Sequence, residues 1–119
     1  MQKALRLRKN GQFQYVFRKG KGMGTRLVSL TYVRANRLQV GFSVSKKVGH
    51  AVVRNHVKRR LREIIRLQAP QLKNGYYIFV ARPEAAEASY MQLEKAVNSL
   101  LRRQNLYKEH STESGDEQS

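Results

Sequence analysis

The chain has 119 residues, enough for a single domain with a modest core, and its 24 Lys and Arg against 8 Asp and Glu give a net charge of +16. It has no Cys, which excludes disulfides, thiolate metal sites and thiol catalysis. No apolar run approaches the roughly 18 residues of a membrane span, and the basic start MQKALRLRKNG lacks the apolar stretch of a signal peptide, so a cytoplasmic protein is expected.

Residues 1–9 are basic and read as a loose arm. Asn10 can cap a short helix at 11–19, ended by Gly20, with Phe13, Val16 and Phe17 on one face. Lys19-Gly20-Lys21-Gly22-Met23-Gly24 reads as a flexible basic loop. A strand is expected over 26–34, where Leu27, Ser29, Thr31 and Val33 alternate with Val28, Leu30 and Tyr32. Ala35-Asn36-Arg37 then reads as a tight hairpin connection. The next strand, 38–45, has the cleanest period of two. Leu38, Val40, Phe42 and Val44 share one face, and Gln39, Gly41, Ser43 and Ser45 make a small polar face on which something could lie.

Gly49 marks a turn before a helix at 52–68, whose apolar stripe is Val53, Val57, Leu61, Ile64 and Ile65. Pro70 and Gly75 punctuate its exit. Residues 76–82 (YYIFVAR) form a short apolar strand, expected to be buried on both sides and stopped by Pro83. Ser89 and Gln92 fit a capping box for a last helix at 90–104, with Leu93, Ala96, Val97, Leu100 and Leu101 inward. Residues 1–108 therefore read as a single domain. Four of the eight acids fall in 109–119, a polar tail expected to be disordered. The order α-β-β-α-β-α gives an α+β class, and the segment from 38 to 82 invites a parallel crossover.

The stretch GFSVSKKVGHAVVRNHVKRRLREIIR, residues 41–66, concentrates the cations on a strand end, a glycine turn and a helix. A charged helix face is ordinarily just solvated. This one is almost all one sign: Arg54/Lys58, Lys58/Arg62 and Arg62/Arg66 are repulsive i,i+4 pairs, against one attractive pair, Arg59/Glu63. Solubility alone would mix the signs, so a polyanion is the expected partner, and a folded RNA the best candidate. An autonomous nuclease needs paired carboxylates or a His/Lys acid–base set. Only Glu63, Glu84, Glu87 and Glu94 precede residue 109, and His50, His56 and His110 show no metal-ligand spacing. No phosphate-binding glycine loop is present either.

Ser43-Val44-Ser45-Lys46-Lys47-Val48-Gly49 followed by Ala51-Val52-Val53-Arg54-Asn55-His56-Val57-Lys58-Arg59 closely resembles the signature of the bacterial ribonuclease P protein subunit, whose helix carries an Arg-Asn-Arg motif. Arg8 to Phe17 resemble that family's first helix and Tyr77 to Pro83 its last strand, so the likeness covers 5–107. One departure is visible: His56 stands at the third motif position and gives up a fixed charge and a bidentate fork.

The resemblance implies a ribosomal-protein-S5-domain-2-like two-layer sandwich with an unusual left-handed β-α-β crossover. It implies the catalytic RNA of ribonuclease P as partner and precursor tRNA as substrate, with endonucleolytic removal of the 5′ leader by the holoenzyme. Hydrolysis then belongs to the RNA and its Mg²⁺ ions. No catalytic residue, metal ligand or cofactor is expected on the protein alone, and neither DNA nor membrane is expected as partner. Two surfaces follow. Lys46, Lys47, Arg54, Asn55, His56, Lys58, Arg59, Arg60 and Arg62 should dock on the catalytic RNA. Phe13, Phe17, Ser43, Ser45 and Arg66 should hold the single-stranded leader in a cleft between the sheet and the 52–68 helix. Thr31 occupies the strand position where some family members carry a leader-contacting aromatic, and Tyr32 points the other way. The alternative reading is a ribosomal protein or general RNA chaperone. A metal-dependent nuclease acting alone and a membrane-surface helix are the other rivals.

Overall fold

The computed structural model describes residues 6–7 and 10–108, without the Asn10 side chain. The expected acidic tail and the rest of the N-terminal arm lie outside them. The elements run α1 (Asn10–Lys19), β1 (Lys21–Gly24), β2 (Val28–Val33), β3 (Leu38–Ser43), α2 (Ala51–Gln68), β4 (Gly75–Ala81) and α3 (Tyr90–Arg103). The predicted succession is kept, with one strand added.

That addition is β1. Three alternating glycines gave it no strand signal, but the backbone pairs antiparallel with β2, from Lys21 opposite Tyr32 to Gly24 opposite Ser29. Gly20 is needed at the corner, since a Cβ there would lie 2.5 Å from the Val16 carbonyl oxygen and 2.7 Å from that of Tyr32.

The sheet order is β1-β2-β4-β3. The sequence predicts a hairpin between β2 and β3, and here the structure differs: β4 inserts between them, antiparallel to β2 and parallel to β3. The reason lies in composition. GYYIFVA is the most apolar strand and needs neighbours on both edges and cover on both faces. The 34–37 connection crosses the gap, and Gly75 N–H donates to the Arg37 carbonyl at 3.1 Å.

One face of the sheet presents Leu30, Val40, Phe42, Tyr77 and Phe79 to the apolar sides of α2 (Val57, Leu61, Ile64, Ile65) and α3 (Leu93, Val97, Leu100, Leu101). This is the main two-layer core. Across the opposite face lies α1, whose Val16 packs with Ile78 and Leu7, flanked by Phe13, Val33, Tyr76 and Val80. The predicted capping box opens α3: Gln92 N–H donates to Ser89 Oγ at 3.1 Å, and Ser89 N–H to Gln92 Oε1 at 2.9 Å.

The arm is not loose at Arg6 and Leu7. Leu7 N–H donates to the Val40 carbonyl at 2.9 Å, and Arg6 bridges Val40 in parallel, so these residues continue the sheet beyond β3. Burial of Leu7 stabilises the added segment. No helix among the described residues is long and apolar enough to cross a membrane.

Candidate nucleic-acid interface

At the end of β3 the chain tightens into a single 3-10 turn, Lys46–Val48. Ser45 caps it, its Oγ accepting from Lys47 N–H at 3.3 Å, which leaves both lysines exposed. Gly49 has φ of +154°, and a Cβ there would press on the Val53 side chain at 3.0 Å. A glycine at this corner lets α2 start directly after the two lysines.

With Val57, Leu61, Ile64 and Ile65 buried, the 3.6-residue period divides the α2 cations between two flanks. Arg54, Lys58 and Arg62 form a row along the open edge of β3, with Asn55 and Arg59 exposed beside them. A cavity of about 220 Å³ lies there, lined by Lys58, Arg62, Val40, Gly41, Phe42, Leu7 and Arg6. Burial, and then the nearby Arg6 charge, push the Arg62 guanidinium down from its ordinary value. The Nε atoms of Arg6 and Arg54 are buried without a hydrogen-bond partner. The one ion pair among the described residues is Arg66–Glu63, so no acid neutralises the row. Desolvated guanidiniums without a counter-charge are costly, and phosphate oxygens answer both their charge and their geometry.

Sequence reasoning missed Arg6. The alternation of Leu5, Arg6, Leu7 and Arg8 was its available signal, a short strand pattern hidden inside a basic run.

Two expected members of this surface sit elsewhere. Arg60 lies on the other flank of α2 and donates from a terminal guanidinium nitrogen to the Ala88 carbonyl at 2.8 Å, tying the helix to the segment before α3. His56, one turn earlier, is exposed on that same flank.

The expected leader cleft is rearranged more deeply. Because Val40 and Phe42 face α2, the space between the sheet and that helix is core. Gln39, Gly41 and Ser43 face α1 instead, and their small polar surface is partly covered: Phe13 closes over Gly41 beside Leu7. Phe13 and Phe17 pack with centroids 6.5 Å apart, and Phe17 remains 48% exposed. Ser43 is half-buried on this face. Ser45 is spent as the turn cap. Arg66 belongs to the opposite layer, held by Glu63 at 3.0 and 2.5 Å; that hydrogen bond raises Arg66 and lowers Glu63 from their ordinary values. Arg66 is therefore not a neighbour of Phe13, Phe17 or Ser43. Tyr32 packs edge-on to Tyr77 at 4.9 Å, against the core on the α2 and α3 side of the sheet rather than turned away from α2 as the expected cleft required.

The family model described as Ribonuclease P matches residues 1–105. The chain is 41% identical to the ribonuclease P protein component of Bacillus velezensis over 115 residues, covering 94% of this chain and 99% of that one. It is 46% identical to the corresponding protein of Alkaliphilus oremlandii over 105 residues, 85% of this chain and 91% of that one. Among solved structures it resembles the Staphylococcus aureus RNase P protein, with TM-score 0.83, 28% identity, and coverage of 89% of this chain and 100% of that one. A superposition of that quality requires the β3–α2–β4 crossover to share its sense with the relative's. The extent of the match and the arrangement of strand, turn and basic helix lead to one conclusion: the chain belongs to the ribonuclease P protein family.

Proposed function

We propose that this chain is the gripping subunit of ribonuclease P: its cationic ridge binds the catalytic RNA, and its α1 face holds the 5′ leader of precursor tRNA. The observation that carries the reading is the row Arg54, Lys58 and Arg62, joined by Arg6 and preceded by Lys46 and Lys47, with no acidic partner among the described residues. Its cations neutralise phosphates and favour the Mg²⁺-loaded form of the RNA. Asn55 and Arg59 extend the same surface, while His56 and Arg60 lie on the other flank of α2. The family assignment leaves a ribosomal or chaperone role without support.

Phe17, Phe13 and Ser43 offer the leader an aromatic and hydroxyl surface. Holding the leader discriminates precursor from mature tRNA, because only the precursor has one. The protein then positions substrate, and the scissile phosphate is attacked on the RNA, with Mg²⁺ supplied there. The small number of acids before residue 109 favours this division of labour. The setting is the cytoplasm, where tRNA is processed.

The test is the double variant Arg54→Ala/Arg59→Ala. Its affinity for ribonuclease P RNA should fall, and the slope of log affinity against log salt should shrink by roughly 0.7–0.9 per lost phosphate contact. An unchanged slope would remove the ridge from the interface.

A further inference from the structure

At the other end of the sheet from Lys46 and Lys47, a second polar surface is built. The six-residue strand β3 separates the two by on the order of 20 Å. A cavity of about 610 Å³ opens there between the end of β2, the turn before β4 and the end of α3. Tyr32, Arg34, Lys73, Asn74, Gln104 and Asn105 line it, and no acid does.

Its walls are fixed by the fold. The Tyr32 ring lies across Gly75, where a Cβ would come within 2.3 Å of it, and the Tyr32 hydroxyl donates to the Asn74 carbonyl at 2.6 Å. Gln104 donates its side-chain amide to the Lys21 and Leu30 carbonyls at 3.1 and 3.4 Å, which holds the amide oxygen in one orientation. Asn105 is the one described non-glycine residue with positive φ, +58°, and it turns the chain so that Leu106 accepts from Lys73 N–H at 2.8 Å. Arg34 is exposed and Lys73 half-buried, each without an acidic partner among the described residues.

We propose that this cavity binds one nucleotide of a second single-stranded RNA segment, separate from the strand held on the α1 face. Arg34 and Lys73 take the flanking phosphates. The Tyr32 wall meets the base, and the amides of Asn74, Gln104 and Asn105 pair with its polar edge. The volume falls within the range of small-ligand sites, roughly 300–1,000 Å³. Cations, an aromatic wall and carboxamides without carboxylates are the set that single-stranded RNA recognition uses. With the ridge at one end and this cavity at the other, a single domain bridges two RNA elements.

The probe is a ten-nucleotide oligouridylate carrying one 4-thiouridine, photocrosslinked to the full-length protein, with uridine monophosphate as the free-nucleotide control. Crosslinks should map to the Tyr32–Arg34, Lys73–Asn74 and Gln104–Leu106 segments as well as to α1 and α2. Arg34→Ala/Lys73→Ala should reduce the cavity crosslinks at least fivefold, leave those on α1 and α2, and lower the salt slope by roughly 0.7 per lost contact. Arg34→Ala alone, an exposed change, keeps the test valid if the double variant unfolds. Crosslinks confined to α1 and α2, or cavity crosslinks indifferent to both variants, overturn the proposal. Uridine monophosphate shifting the cavity's amide resonances while the oligomer does not also overturns it, in favour of a free nucleotide. The ridge variant Arg54→Ala/Arg59→Ala is read separately by assembly with ribonuclease P RNA, so neither failure masks the other.

Discussion

The ring of Phe13 sits so closely over Gly41 that a Cβ on the glycine would lie 2.5 Å from Phe13 Cζ. An α1 residue is thus seated on a β3 position that only glycine can supply, and the contact joins the short helix to the sheet edge carrying Leu7 and Arg6. Gly41→Ala should displace Phe13 and destabilise the protein by about 1–3 kcal/mol, as overpacking does. Urea unfolding measures this, and a variant as stable as the parent would show that α1 shifts freely.

Phe17 stands on the same helix but is 48% exposed, so it contributes less to the core. Phe17→Ala should cost little stability, within about 0.5 kcal/mol as for surface changes, yet weaken binding of leader-bearing tRNA more than leaderless tRNA. Paired affinity measurements decide it. Equal losses on both substrates would return Phe17 to a packing role.

Arg60 separates charge from structure. Its hydrogen bond satisfies the carbonyl of Ala88, a buried residue. Arg60→Met keeps the stem and removes the donor, and should destabilise by about 1–3 kcal/mol. The expected contrast with Arg54→Ala is a larger drop in unfolding midpoint and a smaller change in the salt slope of RNA binding.

The buried Tyr77 hydroxyl donates to the Lys73 carbonyl at 2.6 Å, and burial, then the neighbouring Tyr32, raises its pKa well above the ordinary phenol value. A folded-state value above the unfolded one means stability is fully present below about pH 10 and is lost as pH rises beyond it. Tyr77→Phe should cost about 1 kcal/mol at neutral pH through the lost hydrogen bond and flatten part of the alkaline decline. Tyr32, Tyr90 and Tyr107, which burial also raises, contribute to the remainder. Denaturation midpoints between neutral and strongly alkaline pH provide the check.

Local chemistry made most elements legible in the sequence. The period of two in β3, the apolar stripe of α2 and the Ser89–Gln92 box all predict what is observed, because each is set by a few neighbouring residues. Placement across the sheet was not legible. The 35–37 segment looks like a hairpin, yet the demand of β4 for two partners overrides it, and no local signal carries that competition. The same limit explains the site. The motif located the ridge, but which face of β3 met α2 depended on the insertion of β4, so Arg66 was grouped with Ser43 and Phe13 although it lies on α2 and they lie on the face toward α1. Arg6 was hidden because a cationic run looks like a solvated arm until Arg6 and Leu7 are set against the open edge of β3.

The most direct measurement of the central claim is reconstitution at low Mg²⁺, with protein, ribonuclease P RNA and precursor tRNA mixed and omitted in turn. Cleavage of the 5′ leader should require the RNA, and adding the protein should restore activity and favour leader-bearing substrate. Leader removal by RNA-free protein purified to constant specific activity would contradict a chain that grips while the RNA cuts.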